Sequence, residues 1–258
     1  MKLHLTMFSA FLSQMRQLYK NIVTILLVSI IVASCVPSKY RIEKGDLNER
    51  YNAAVLDAKN ADPDEVSKDL ISINPYNNEL VKDSLGRILV SHWTDYYKYD
   101  SSSVGKTMKL SRDAWVLITP ELKSFCNNLK LDSANTILRL EQLIGLPPKT
   151  NYPKFVEFWV YPQDLFRPCA DPEISDCECE LEIRESSHLQ LNEKYLEWYN
   201  EKKNTSYSVK RYPWTRLGYT YDWGNSKSEI GLSEFVIREG AEVVVKSVTK
   251  SYQYATTR

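Results

Sequence analysis

Apolar side chains over Asp46–Asn60 return at Leu47, Tyr51, Ala54, Val55 and Ala58, the spacing of one helix face, and Asp46 stands at the N-cap position. Asp62-Pro63-Asp64-Glu65 predicts a second, short helix that stops before Asn74-Pro75, with proline in its first turn and acids at the positive end of its dipole. The pattern then changes to strand. Glu79–Lys82 and Arg87–Trp93 flank a turn sequence, Asp83-Ser84-Leu85-Gly86, and Trp115–Ile118 predicts another strand, with Ser101-Ser102-Ser103 and Gly105 in an exposed loop between them. Thr119-Pro120-Glu121 opens a helix that carries Cys126. Ser133–Ile144 has the clearest helical repeat, at Ile137, Leu140 and Ile144. Gly145 then occupies the left-handed C-cap position, Leu146 the capping contact, and Pro147-Pro148 forbid continuation. Phe155–Val160 is apolar on both faces, which places it centrally in a sheet. Asn192–Lys203 predicts a helix with Tyr195, Trp198 and Tyr199 inward. Strands are predicted over Gly218–Trp223, Ser233–Arg238 and Glu242–Thr249, the last two joined by a tight Glu239-Gly240 turn.

Helices and strands come in runs, without strict alternation. The pattern therefore predicts an α+β fold: a mostly antiparallel sheet with flanking helices and a C-terminal β-rich segment, in a single domain over residues 46–258. The prolines at 147, 148 and 153 are its one candidate hinge. With 17 Tyr and 6 Trp against 8 Gly, the composition is that of a packed domain and not of a linker. Lys and Arg total 33, as do Asp and Glu, so no basic excess exists to hold a phosphate backbone and nucleic acid is not an expected partner.

The first 34 residues carry Lys2, Arg16 and Lys20 and no acid, followed by the 11-residue apolar run Ile22–Val32 and the small residues Ala33 and Ser34. This is the layout of a secretory signal peptide over residues 1–34. A bilayer-spanning helix needs about 20 apolar residues, so the run matches a membrane span less well. Val32-Ala33-Ser34-Cys35 resembles the lipobox of bacterial prolipoproteins. The resemblance implies cleavage before Cys35, lipidation of its sulfur and acylation of the new amino terminus. Residues 35–45 would then tether an extracytoplasmic domain to a membrane of the cell envelope. Two or more acyl chains suffice for stable anchoring, at about 0.8 kcal/mol per buried CH₂. The basic leader is long for this class, which makes Met7 or Met15 an alternative start.

Four cysteines remain beyond Cys35: Cys126, Cys169, Cys177 and Cys179. In an oxidising envelope an even count favours disulfides. Cys177 and Cys179 flank one residue, so a bridge between them would be strained. Each is therefore expected to pair elsewhere, with Cys126 and Cys169. Three of these cysteines sit in Asp164–Glu182 beside Asp171, Glu173, Asp176, Glu178, Glu180 and Glu182. A zinc site would use Cys169, Cys177, Cys179 and Cys126. A calcium site would use the carboxylates. The spacing fits neither a zinc knuckle nor an EF-hand, so a disulfide-stapled acidic loop is expected, with no metal and no cofactor.

Tyr212–Phe235 is dense in aromatic and polar residues. Trp214, Tyr219, Tyr221 and Trp223 would line a pocket for a planar or sugar ligand, with Asp222 and Glu234 as acceptors. The alternative is an aromatic core strand whose Tyr219, Tyr221 and Trp223 alternate onto one buried face. Leu232-Ser233-Glu234-Phe235-Val236-Ile237, followed by Gly240, resembles the third motif of ADP-ribosyltransferases. There a strand Glu stabilises the oxocarbenium formed as nicotinamide leaves NAD. The resemblance implies Glu234 as the catalytic residue, Arg216 as a phosphate clamp and Tyr219 or Tyr221 as a nicotinamide stack. Leu232 stands where that family has Gln or Glu, a departure that bears on target transfer more than on NAD hydrolysis. Taken with Phe158–Glu173, these stretches also resemble a family of bacterial secreted proteins and lipoproteins, from about Trp93 onward, a likeness that implies no activity. Beyond the signal only His92 and His188 are present, which disfavours a His-based triad. There is no G-x-S-x-G, P-loop, H-E-x-x-H or dinucleotide fingerprint. The sequence thus predicts a lipid-anchored envelope domain that binds a protein, small molecule or glycan without catalysis. An NAD-directed enzyme using Glu234 and a carbohydrate-binding module are the alternatives.

Overall fold

A computed structural model describes residues 46–184 and 191–257. The signal peptide, Cys35, the tether and His188 lie outside the described residues. Asp46 caps α1 (Leu47–Asp57), its carboxylate accepting from the Asn48 and Glu49 amides at 2.8 and 3.3 Å. The apolar face of α1 buries Tyr51, Ala54 and Val55, and Trp223 packs edge-on against Tyr51. The next predicted helix is only a 3₁₀ turn, Pro63–Glu65, closed by a capping box between Asp62 and Glu65. One turn fixes too few hydrogen bonds to propagate without an apolar face to bury.

Strands β1 (Ile88–Thr94), β2 (Thr107–Lys109), β3 (Ala114–Ile118), β4 (Lys154–Val160), β5 (Leu165–Phe166), β7 (Ile230–Ile237) and β8 (Glu242–Lys250) form one sheet in the order β2-β8-β4-β1-β3-β7-β5. Strand β6 (Tyr219–Tyr221) lies off this path and pairs with β7. Every pairing is antiparallel. The fold is thus α+β with a mostly antiparallel sheet, as the pattern predicts. Strand β4 sits centrally between β8 and β1, in keeping with its two apolar faces. The predicted Glu79–Lys82 strand shrinks to one bridge, Lys82 to Ile88, across a turn with Gly86 at φ +76°. β2, β5 and a terminal helix, α5 (Ser251–Thr256), escape the sequence because each is too short to show a period.

One face of the sheet packs Val90, Val116, Phe158, Phe235 and Val245 into the largest apolar cluster. Two groups of helices cover the other face. α2 (Thr119–Asn127), α3 (Ser133–Leu143) and α5 meet it through Leu122, Leu140 and Tyr254, which cluster with Trp93, Leu117 and Phe155. α4 (Glu193–Thr205) and the stretch around Trp214 meet it through Tyr195, Tyr199 and Trp214, which cluster with Trp115 and Val236. α3 ends in a Schellman motif. The Leu146 amide donates to Glu141 O at 2.8 Å, the Gly145 amide to Gln142 O at 3.4 Å, and Gly145 has φ +68°.

The cysteine pairing differs from expectation. Cys169 bonds to Cys179, while Cys126 is a buried thiol and Cys177 an exposed one. Cys126 sits on α2 among Leu122 and Phe155, whereas Cys169 and Cys179 share a separate cluster with Leu70 and Tyr219. Burial raises the Cys126 thiol to about 11, so it stays protonated and inert. Cys177 is left exposed while Cys179 is buried beside Leu70 and Tyr219.

Candidate functional site

Ser91 on β1 faces Leu117 on β3, and Leu117 faces Glu234 on β7. The three side chains therefore form one row on the helix-covered face of the sheet. Two residues along their strands, Trp93 and Trp115 project from the same face. The two helix groups do not close over this row. They leave a cavity of about 480 Å³, floored by Trp93, Trp115, Leu117 and Glu234 and walled by Gly145-Leu146 and Trp214. That volume is the size of a small-molecule site.

Local structure explains the walls. The Schellman turn brings the end of α3 against the opposite wall so closely that a Cβ on Gly145 would lie 3.3 Å from Pro213 Cγ and 3.5 Å from the Tyr221 carbonyl oxygen. Trp93 stacks on Phe155 at 5.1 Å and donates its Nε1–H to Ser251 Oγ at 2.8 Å, which fixes the indole plane. Trp115 lies 6.2 Å from Trp214 and 6.1 Å from Trp198, so the two indoles that line the cavity here are backed by a third from α4.

Glu234 is the carboxyl on the cavity floor. Among the described residues it accepts no side-chain hydrogen bond and pairs with no cation, and burial alone pushes it up to about 8. Its neighbour Ser233 points to the opposite face. There Ser233 donates its amide (3.1 Å) and hydroxyl (3.1 Å) to Glu121 of α2, whose carboxyl burial still raises to about 7. Arg112, Asp113 and Lys202 on the rim have partners of their own. Arg112 lies 4.8 Å over the Tyr96 ring. Asp113 accepts from Trp198 Nε1 at 2.7 Å and from the Glu239 amide at 2.8 Å. Lys202 lies 3.9 Å from Glu201. His92 donates Nδ1–H to the Trp115 carbonyl at 2.8 Å, and burial lowers its pKa, so it is a neutral imidazole at the cavity edge.

Of the sequence-predicted residues, the structure brings Trp214, Tyr221 and Glu234 together in the cavity wall. The others sit elsewhere. Tyr219 packs with the Cys169–Cys179 bridge and donates its hydroxyl to Glu65 O at 2.9 Å. Trp223 packs on α1 and donates Nε1–H to Leu146 O at 3.0 Å. Asp222 forms a buried, two-pronged ion pair with Arg139, with Nη1 to Oδ1 at 2.8 Å. Arg216 is buried at φ +61° and donates to Lys59 O at 3.0 Å, which takes it away from any phosphate in the cavity. The predicted alternation from Tyr219 to Trp223 fails because the strand ends at Tyr221 and the chain turns, Asn225 donating to Asp222 O. Trp93, Trp115 and Tyr152 lie outside the aromatic stretch that the sequence singles out. Their role depends on which strands become neighbours, and no local pattern encodes that.

The acidic cysteine loop is organised from inside by Arg167, fully buried and donating to Ile71 O, Glu173 O and Asp176 O. Gly218 at φ +75° lets this guanidinium and the disulfide approach, since a Cβ there would lie 2.7 Å from Arg167 Cδ and 2.6 Å from Cys179 Sγ. The four proposed zinc ligands do not converge, and among the described residues no three His, Cys, Asp or Glu side chains gather to hold a metal ion. No described helix is long and apolar enough to cross a membrane. No protein-family model, curated protein or solved structure matches the chain.

Proposed function

We propose that the chain is a lipid-anchored extracytoplasmic binding domain that takes a small ligand into the cavity between its two helix groups. The observation that carries this reading is the unpaired Glu234 carboxyl on the floor of an aromatic cavity of about 480 Å³. Packed cores do not leave such a space lined by ring faces and an unpartnered floor carboxyl, because buried polar groups are otherwise partnered. The anchor part rests on Ile22–Val32 and Val32-Ala33-Ser34-Cys35. A tether of about ten residues would keep the cavity near the membrane. An NAD-directed enzyme has less support: Arg216 and Tyr219 line no part of the cavity, and a carboxyl held near pH 8 is largely uncharged at neutral pH.

The test uses the six indole N–H groups as reporters in a nuclear magnetic resonance screen of small molecules. Ligands should move the signals of Trp93, Trp115 and Trp214 and leave those of Trp159 and Trp223 in place. Shifts confined to Trp159 and Trp223, or none with any compound, would overturn the reading. The anchor is checked on protein extracted from its membrane, where the first peptide should begin at an acylated Cys35. An unmodified Cys35 inside a longer peptide would remove it.

A further inference from the structure

We propose that the cavity selects an organic cation, an alkylamine or quaternary ammonium, whose charge pairs with Glu234 and whose alkyl groups lie against the surrounding rings. This rests on reading the cavity as a binding site and adds the ligand's chemical class. Aromatic side chains line the space, among them Trp93, Trp115, Tyr152, Tyr212 and Trp214. The faces of such rings are electrically negative and attract a cation within about 6 Å, more strongly once water is excluded. Glu234 adds a carboxyl without an internal counter-ion. Two independent features thus favour positive charge, whereas a neutral carbonyl ligand would be served by one proton on Glu234 alone. The cations already present do not fill the role. Arg112 rests on Tyr96, and Lys202 lies near Glu201 and the Trp198 ring.

A bound cation stabilises the charged carboxylate and so expels the proton Glu234 holds. The other titratable groups that line the cavity are Asp95, Tyr96 and Tyr99 after β1, Arg112 and Asp113 before β3, Tyr152, Lys202 from α4 and Tyr212, with His92, whose ring packs against Phe158, and Tyr221, whose hydroxyl donates to Asp57, at its edge. Burial holds His92 neutral and raises Tyr152 and Tyr221, so none of these three competes with Glu234 for a proton change near neutrality. Cation affinity is therefore expected to climb with pH, and a carbonyl ligand would do the reverse.

The experiment titrates the full chain in detergent with choline, with its uncharged tert-butyl isostere dimethylbutanol, and with benzamide, following the same indole signals. Choline should bind best, its affinity rising by up to about tenfold per pH unit below the Glu234 midpoint. Glu234→Gln should weaken choline by about tenfold or more and flatten that slope. Dimethylbutanol or benzamide binding as tightly as choline would overturn the cation and leave the binding cavity standing. A choline affinity that falls as pH rises in the wild-type chain would overturn it equally, a readout that does not depend on the variant folding. If no probe moves the signals of Trp93, Trp115 and Trp214, the cation and the cavity reading fall together.

Discussion

At the scale of single residues, the unusual feature is a pair of buried carboxyls, one carried by β7 and one held by it. Among the described residues Glu234 has no hydrogen-bond partner or counter-ion in the cavity, and Ser233 beside it is held by Glu121 of α2. Both carboxyls are raised by burial, to about 8 and about 7 from an unfolded value of 4.5. The folded state therefore binds more protons than the unfolded chain between those values, and stability falls as pH rises through that window. His92 works in the opposite sense. Its pKa is lowered from 6.5, so stability gained from it accrues as pH rises toward that value. Comparing wild type with Glu234→Gln isolates the carboxyl. Wild type should lose about 1–3 kcal/mol more than the variant between about pH 5 and pH 8 in urea unfolding. Parallel profiles would mean Glu234 is solvated. The cysteines obey a related constraint of environment. An even count suggests full pairing, yet a thiol buried on α2 cannot reach one in a distant loop, and Cys126 instead serves as a small apolar side chain.

At the scale of elements, what is legible in the sequence is what local chemistry dictates. The Asp46 cap, the Schellman end at Gly145 and Leu146, and the Glu239-Gly240 turn each depend on residues within six positions of one another. The two-faced apolar run of β4 likewise announces a central strand. Elements stabilised from a distance are not legible. The turn after Tyr221 is held by Asp222, whose carboxylate meets Arg139 of α3 across 83 residues of chain and also accepts from the Gly224 amide. Removing one partner of a buried pair leaves a lone charge. Arg139→Met should therefore cost about 3–5 kcal/mol, with the double variant Arg139→Met/Asp222→Leu markedly less damaged than the two single losses added together. A double-mutant cycle in denaturant measures this, and strict additivity would show that the pair does not act as one unit.

At the scale of the whole molecule, the cavity is a product of topology. The order β4-β1-β3-β7 brings Phe155, Trp93, Trp115 and Glu234 onto one face, although they come from separate parts of the sequence. Their register is set by backbone pairing, which hydrophobic periodicity does not report. A sequence reading consequently finds the right neighbourhood, through Trp214, Tyr221 and Glu234, and misses the opposite wall. It also misassigns Tyr219, Asp222, Trp223 and Arg216, because a segment rich in aromatic and charged residues looks alike whether it lines a cavity or ties loops to a core. The central claim is that Glu234 is a desolvated carboxyl without a counter-ion on the floor of that cavity. The most direct test is the titration of its carboxyl carbon by nuclear magnetic resonance in the free protein, assigned with Glu234→Gln. The expected midpoint is near 8, moved toward the ordinary carboxylate range when choline is added. A midpoint near 4.5 in the free protein would contradict that claim.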